Sequence, residues 1–547
     1  MGPEEVSLRG QQQPPRTPLQ NFIIILAICA SVFLAALDVT IITTALPTIA
    51  AHFHSTAGYT WIGSSFLLGQ AAATSWWSKL SDIWGRKRIL LCAVSLFFIG
   101  SILCAAAVSI AMLITGRAIQ GIAAGGLLVL NNILIADLFP PRERGKYYGF
   151  FGSTWALASA IGPVLGGVFA DKVSWRWCFY VNRSKPFITP VPITGTVFTV
   201  IILTLHLRTP TTPFREGLLA VDWLGTLLLV ASILLFLLGL DFGGVAHPWT
   251  SPIVLNLLVF GVLTVPCFFL IEWKVARYPI MPPRIFASTT NAAALLACFL
   301  HGLVYIAPPF YLPLYFQSVL GATPLLSGVW LMPLALASAA GATSAGIYIN
   351  KTGRYKECIV FGFAVETLGL GLLYDLPRER DWAKIVIYQI LAGLGAGPNF
   401  QSPLVALQIH TQRGDNATAT AAFNTVRNVA TATGIVLGSV IVSNEMAKQK
   451  AGLVASLGVQ EGGMLAGGAA LANVFVVRGL EPAMRNVAEE AYFLSIRKMW
   501  ILFATLAGVG LIVSGFVQRK VLEANQQEME LGLEEEERKR NMGKGDT

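Results

Sequence analysis

Apolar residues dominate this chain in long runs, and charged residues are concentrated in the gaps between the runs. The first run, residues 22–46, exceeds the roughly 20 residues that a helix needs to cross a bilayer core of about 30 Å. Further runs follow almost to the end of the chain. Together they predict fourteen membrane-spanning helices, over residues 22–46, 58–77, 89–109, 112–136, 147–170, 177–207, 222–242, 252–272, 290–313, 325–348, 358–376, 383–405, 418–442 and 498–518.

Basic residues are distributed unevenly among the loops between these runs. Four loops contain neither Lys nor Arg, those near 47–57, 110, 243–251 and 317–324. The loops that alternate with them are rich in both residues. Because loops rich in Lys and Arg stay on the cytoplasmic side of a membrane, we expect both tails, 1–21 and 519–547, to be cytoplasmic.

A coarse internal repeat divides the chain. The loop after the second run reads SKLSDIWGRKRIL and the loop after the tenth reads GIYINKTGRYKEC, and both place Gly-Arg before further basic residues. Two parallel halves related by an axis along the membrane normal produce such a pattern. We therefore predict a six-helix half over 22–207, a linker with two extra helices over 208–289, and a second six-helix half over 290–518. A long extracellular loop is expected at 443–497.

Composition agrees with a polytopic helical membrane protein. Of 547 residues, 54% are hydrophobic and only 13% are charged, whereas soluble domains carry about 25% charged residues. The net charge of +9 does not indicate nucleic-acid binding, because the basic residues cluster in short loops. The seven cysteines occur singly, without a CxxC pair, and the six histidines show no metal-ligand spacing. We expect free thiols and no metal site.

No pattern typical of an enzyme is visible in the sequence. A G-x-x-x-x-G-K-[ST] phosphate loop is missing, so ATP hydrolysis is not expected. Neither a nucleophile elbow nor a paired-cysteine motif is present. We therefore predict a protein that is not an enzyme and needs no cofactor. Its energy would come from an ion gradient, in which moving one charge is worth about 2.3 kcal/mol per 100 mV.

Several motifs carry a resemblance to a known family. The loop at 78–87, SKLSDIWGRK, resembles the G-x-L-A-D-x-x-G-R-K signature of the major facilitator superfamily, with Ser78 where that family usually has Gly. LITGRAIQGIAAGG (113–126) resembles its Arg-centred motif, and AIGPVLGG (160–167) resembles its antiporter motif. LDVTIITTALP (37–47) is similar to the first span of fourteen-span drug:proton antiporters. The chain also resembles fungal toxin and multidrug efflux pumps of that subfamily at WIGSSFLLGQ (61–70), RERGKYYGFFG (142–152), SWRWCFYVN (174–182) and YLPLYFQSVLGATPLLSG (311–328).

The resemblance implies an all-α polytopic membrane protein with the major facilitator fold. Its two six-helix halves would be supplemented by two extra central helices, which gives fourteen transmembrane helices. One departure follows VN at 181–182, where RSKPFITPV intervenes before PITG. Either an extracellular insertion at 183–191 is real, or the gene model contains an extra piece. Asn182 begins a formal glycosylation sequon in the same place.

Three ionisable residues inside predicted spans are candidates for proton coupling. Asp38 lies in the first span, and an ionisable residue within the membrane usually faces a cavity, forms a pair or carries protons. The alternative is a carboxylate held by nearby Thr hydroxyls for packing. By the resemblance, Arg117 modulates the proton site, although it could be an interfacial arginine that snorkels. Glu366 could be a second coupling site, a handle for cationic substrates, or a hydrogen-bonded structural residue.

The resemblance also implies a gating latch and a sealing helix face. Asp82, Gly85, Arg86 and Lys87 match the signature loop, and Arg427 in the thirteenth span is a candidate partner from the other half. Lys87 could instead be an ordinary cytoplasmic charge.

The sealing face belongs to the fifth span. Gly162, Gly166 and Gly167 are small residues that permit close helix approach, and Pro163 can bend the span. Antiporters use this face against leakage, while a generic packing face is the alternative.

Polar and aromatic residues deep in other spans are candidates for a substrate cavity. His301 and Tyr305 in the ninth span suit flat, bulky compounds, and Gln70, Asn131 and Asn424 add polar points. Binding pockets of this kind combine apolar walls with few polar groups.

These features together predict a monomeric proton-coupled exporter of small amphipathic compounds, such as drugs or fungal secondary metabolites. It would export them across the plasma membrane, with protons, a small molecule and the bilayer as its partners. One alternative is a vacuolar basic amino acid or siderophore transporter of the same fold. Another is a transporter-like sensor that binds its ligand without moving it.

Overall fold

The structure is a computed structural model, and it describes residues 18–53, 56–180, 193–205, 212–244, 247–276, 279–412, 415–474 and 476–520. Asn182 and the segment 183–191 lie outside the described residues, as do most of both tails. The predictions about them stay predictions.

The N-terminal part of the chain is helical wherever it is described. Its helices are α1 Pro18–His52, α2 Thr56–Trp84, α3 Arg86–Ala105, α4 Ile110–Leu138, α5 Pro141–Lys172, α6 Trp177–Tyr180 and α7 Ile193–Thr204. A second group follows, with α8 Phe214–Ala220, α9 Trp223–Phe242, α10 Pro252–Lys274 and the 3-10 turn η1 Pro283–Phe286.

The C-terminal part is also built from helices. Its long or paired segments are α11 Thr289–Tyr305, α12 Ala307–Ser318, α13 Pro324–Trp330, α14 Met332–Thr352, α15 Lys356–Leu373, α16 Trp382–Asn399, α17 Ser402–His410 and α18 Asn416–Lys448. Four short helices follow in the described residues, namely α19 Lys450–Leu457, α20 Val459–Met464, α21 Ala469–Ala472 and α22 Val476–Gly479. The last long helix is α23 Pro482–Ser514.

Every predicted apolar window contains helix in its described part. Among the described residues, ten helices are long and apolar enough to cross a membrane. Helix α2 is 29 residues long but is not one of these ten, and α15 and α16 have 18 residues each. The count of fourteen spans therefore stays a prediction. The predicted loop at 443–497 includes the end of α18 and the beginning of α23, since both helices continue beyond their apolar windows.

The same helix pairings recur in the two halves. In the N-terminal half, α1 packs on α5, and α4 packs on both α2 and α3. In the C-terminal half, α11 correspondingly packs on α18, and α16 packs on both α14 and α15. The halves meet mainly through α5 against α14 and α2 against α18. This agrees with the internal repeat in the sequence. Helices α9 and α10 pack chiefly on each other, and α9 also contacts α2 and α18.

Successive long helices run antiparallel, so the bundle has two ends. We call the end that carries Gly85, between α2 and α3, the Gly85 end. The opposite end carries the connection between α12 and α13 and is called the Gly321 end. Apolar side chains fill both halves, and the C-terminal core contains large fully buried residues such as Trp500 and Tyr492.

Candidate functional site

Asp38 lies in α1 with its carboxylate enclosed by side chains from α4. It forms an ion pair with Arg117, and the Gln120 amide donates to its other oxygen at 2.9 Å. Arg117 also donates to the Gln120 carbonyl oxygen at 2.8 Å. The three side chains form one closed hydrogen-bonded group, which meets the requirement that buried charges be paired.

Arg117 is held on all sides. Its guanidinium donates to the Ile62 carbonyl oxygen at 3.3 Å and lies 4.3 Å from the centre of the Phe66 ring. Only 2% of its side chain is exposed. A snorkelling arginine keeps its head group in water, so the interfacial alternative for Arg117 is wrong.

The threonines that follow Asp38 connect α1 to α5. The Thr44 hydroxyl donates to the Pro163 carbonyl oxygen at 3.0 Å, and the Thr40 hydroxyl lies 3.2 Å from the Ala158 carbonyl oxygen. These hydroxyls fix α1 against α5, whereas Arg117 and Gln120 hold the Asp38 carboxylate from α4. Asp38 therefore belongs to a helix that is fastened on two sides.

The glycines of α5 divide between two neighbours. A Cβ atom at Gly162 would lie 2.1 Å from Thr40 Oγ1, and one at Gly166 would lie 1.9 Å from the Ile41 carbonyl oxygen. At Gly167 it would meet only Leu325 Cδ1, at 4.0 Å. Two of the predicted glycines therefore permit the contact with α1, and the third faces the other half.

Arg86 connects the ends of three helices at the Gly85 end. It pairs with Asp82 at 2.5 Å and with Asp137 at 2.9 Å, and its guanidinium also donates to the Ser81 hydroxyl at 2.6 Å. Gly85 has φ 94°, a backbone conformation that favours glycine. Asp137 was not among the predicted site residues, and it directly follows the fourth apolar run, 112–136.

The structure places the other two predicted latch residues differently. Lys87 is partly exposed and donates to the Ile202 carbonyl oxygen at 2.8 Å. Arg427 is buried within the C-terminal half, where it donates to the Phe400 carbonyl oxygen and lies 4.6 Å from the centre of the Phe423 ring. The structure therefore does not bring Arg427 to the Asp82–Arg86 pair, because about three helical turns separate it from the start of α18.

Hydrogen bonds between the halves close the Gly85 end. Arg142 donates to the carbonyl oxygens of Asn350 and Lys351, at 3.1 and 2.9 Å. Deeper contacts add the side-chain pairs Asn132–Asn424 at 3.1 Å, Ser75–Thr425 at 2.8 Å, Tyr148–Gln408 at 2.9 Å and Ser153–Thr343 at 2.5 Å. A solute could pass this end only if these bonds broke.

A small cavity of about 60 Å³ lies between the halves. Helix α5 contributes Trp155, Ala156 and Ser159, and the C-terminal half contributes residues that include Tyr305, Glu366 and Phe400. Pockets for drug-sized molecules occupy about 300–1,000 Å³. The cavity therefore holds only a few water molecules in this arrangement, and a larger ligand requires the halves to separate.

The predicted cavity residues are only partly brought together. Tyr305 lines the cavity, and His301 lies behind it with ring centres 5.2 Å apart. Gln70 and Asn424 lie at the contact between the halves, where Gln70 is 3.5 Å from Asn428. Asn131 lies inside the N-terminal half and donates to Ser31 at 2.6 Å. A helical position alone does not show which way such side chains face.

Comparison with known proteins identifies the family. Residues 28–435 match the Major Facilitator Superfamily. The chain belongs to the Major Facilitator Superfamily. It is thus a multi-pass membrane transporter and not an enzyme.

Fungal efflux pumps are similar to this major facilitator protein over most of its length. It is 46% identical over 517 residues to "Efflux pump dotC" of Dothistroma septosporum, covering 94% of this chain and 87% of that protein. It is 45% identical over 518 residues to "MFS-type transporter ppz2" of Metarhizium majus, with 95% and 88% covered. The human organic anion transporter MFSD10 has a TM-score of 0.58 at 15% identity, with 92% of this chain and 100% of that chain covered; this likeness shows the fold alone.

Proposed function

We propose that the protein exports small amphipathic compounds across the plasma membrane in exchange for protons, as a fourteen-span drug:proton antiporter. The compounds would be xenobiotics or fungal secondary metabolites. Similar proteins that are named efflux pumps support the export of small molecules. The observation that carries the coupling is the enclosed Asp38–Arg117–Gln120 group.

Proton binding to Asp38 would remove the charge on which its ion pair with Arg117 depends. The protonated and ionised forms would therefore favour different arrangements of α1 and α4. Helix α1 also contacts α5 through Gly162 and Gly166, and α5 carries Trp155 in the cavity wall. A movement of α1 caused by a change at Asp38 would therefore be transmitted to the cavity wall through the packing of α1 on α5.

The closed Gly85 end fits one state of an alternating-access cycle. In the proposed cycle this end is cytoplasmic, and the Arg86 ion pairs hold α2, α3 and α4 together while it is closed. Opening would break the contacts of Arg142 and the polar pairs beneath it, and would admit a substrate from the cytoplasm. Closing again would precede release on the opposite side.

Reconstitution into liposomes tests the proposal. With an acidic interior, wild-type protein should accumulate members of a panel of neutral and charged fluorescent amphipathic compounds, and collapsing the pH gradient should abolish the accumulation. Asp38→Asn should bind these compounds without accumulating them. Asp375→Asn, which changes an exposed carboxylate outside the site, is the matched control and should behave like wild type.

Two outcomes would overturn the proposal. Binding without gradient-driven accumulation of any compound by wild-type protein would favour the sensor alternative. Undiminished accumulation by Asp38→Asn would remove the coupling role of Asp38. In cells, a fluorescent fusion on the vacuolar membrane would favour the vacuolar alternative over plasma-membrane export.

A further inference from the structure

Glu366 lies in the wall of the cavity between the halves, and one of its carboxylate oxygens has no hydrogen-bond partner among the described residues. The residue is 1% exposed and belongs to the cavity wall. Its Oε2 atom lies 3.4 Å from His301 Nδ1, whereas Oε1 is buried and has no partner among the described residues. A buried acceptor without a hydrogen-bond partner destabilises the protein. A ligand that donates a hydrogen bond to Oε1 would remove this penalty.

His301 holds this carboxylate in place from behind the cavity wall. Its ring is fully buried, stacks on Tyr305 at 5.2 Å and meets the Phe400 ring edge-on at 5.2 Å. The neighbouring Asn399 amide is best described with its O and N atoms exchanged. In that orientation both groups form hydrogen bonds to the α15 backbone, at 3.2 and 3.0 Å. His301 is then the residue that orients Glu366.

The remaining cavity wall suits a flat apolar body. Trp155 comes from α5, and Tyr305 and Phe400 come from the C-terminal half, with leucines from α14 and α15 between them. Aromatic rings bind one another through offset or edge-on contacts. Because both halves supply rings, a bound aromatic compound would contact both halves at once.

The charges around the cavity favour an uncharged ligand. Glu366 supplies one negative charge, and the buried guanidinium of Arg427 lies 5.9 Å from the centre of the Phe400 ring. Arg427 Nε has no hydrogen-bond partner among the described residues. A neutral compound leaves these two charges balanced, whereas a cation would add a net positive charge in a medium of low dielectric constant.

We infer that Glu366 is a recognition residue for uncharged, flat aromatic compounds that carry a hydroxyl donor, and that His301 is its positioning residue. This inference rests on the proposed export function, since it assigns a substrate class to the same cavity. It differs from the sequence-based hypotheses, in which Glu366 is a coupling site or binds cations.

Equilibrium binding to the purified full-length protein in nanodiscs tests the inference with three naphthalene probes. 2-Naphthol is neutral and donates a hydrogen bond, 2-methoxynaphthalene has the same ring without the donor, and 2-naphthylmethylammonium is a cation. Wild-type protein should bind 2-naphthol about five- to tenfold more tightly than each of the others. In Glu366→Leu the preference over the methoxy compound should disappear. Glu357→Leu, which removes an outer carboxylate from the same helix, should keep it.

His301 is tested by rescue. His301→Leu should lower the preference for 2-naphthol over 2-methoxynaphthalene, and His301→Gln should restore much of it because an amide can donate to Glu366. A merely structural role would instead affect all three probes equally. An unchanged preference in Glu366→Leu, or tightest binding of the cation by wild-type protein, would overturn the inference.

The outcomes separate this inference from the proposed function. If hydroxyl preference is present but no pH gradient drives transport, the coupling proposal fails and the recognition site remains. If gradient-driven transport is present and Glu366→Leu keeps the preference, the recognition site fails alone.

Discussion

Gly166→Ala adds one methyl group where α5 meets the helix that carries Asp38. The new Cβ would lie 1.9 Å from the Ile41 carbonyl oxygen and 2.6 Å from Thr44 Oγ1. Ordinary contacts of a Cβ atom begin at about 3.4 Å, so the two helices would have to separate locally by roughly 1.5 Å. The Thr44 hydrogen bond to Pro163 would be strained by the same movement.

Overpacking of this kind typically costs about 1–3 kcal/mol, which corresponds to roughly a 5- to 150-fold change in the folded-to-unfolded ratio. Gly167→Ala is the matched control, because its added methyl would meet only one atom, at 4.0 Å. We expect Gly166→Ala to lower thermal stability in nanodiscs and to reduce transport, since a displaced α1 moves Asp38. Gly167→Ala should stay within about 0.5 kcal/mol of wild type. Equal effects of the two changes would refute the reasoning.

Two further predictions concern polar contacts at opposite ends of the bundle. Arg142→Ala removes the hydrogen bonds to Asn350 and Lys351. Exposed charge-assisted bonds of this kind contribute about 1 kcal/mol, so the equilibrium should shift roughly fivefold towards an open Gly85 end. Distances between spin labels on the two halves measure this shift, and an unchanged distance distribution would contradict it. At the Gly321 end, the hydrogen bond from Lys384, 2.7 Å long, lowers the pKa of Asp375. The stability difference between wild type and Asp375→Asn should therefore be constant from pH 8 to 5, and it should vanish as the pH falls below 3.8, the ordinary pKa of an aspartate. Thermal unfolding at several pH values measures this difference. A difference that changes near neutral pH would contradict the prediction.

Sequence reasoning located the buried ionisable residues but not their partners. Asp38 and Arg117 could be singled out because a charge in an apolar run is costly. Their pairing across 79 residues of sequence depends on how α1 and α4 are rotated, and periodicity does not determine that rotation. The same limit applies to Glu366 and His301, which are recognisable separately and meet only through the packing of α11 and α15.

The latch residues show which contacts a sequence motif predicts and which it does not. The Asp82–Arg86 pair follows from an i, i+4 spacing at a helix end, which places the two side chains on one face. Asp137 joins them through tertiary packing, and nothing in the motif indicates it. Arg427 was assigned to the latch from its position along a span, and the structure places it beside Phe400 and Phe423 in the other half.

The sequence predicts the presence of the helices better than it predicts where they begin and end. Long apolar runs predicted helix throughout, because a bilayer leaves few other ways to satisfy the backbone. Helices α18 and α23 nevertheless continue into polar sequence, to Lys448 and from Pro482. Polar residues in those turns are compatible with helix and merely end the hydropathy signal.

Proton release on ligand binding tests the exchange at Asp38 most directly. Purified protein in weakly buffered solution with a pH-sensitive dye should release about one proton per bound substrate molecule if Asp38 exchanges its proton for substrate. Asp38→Asn should bind the same substrate and release none. Equal release from Asp38→Asn, or no release from wild-type protein that still transports, would contradict the account.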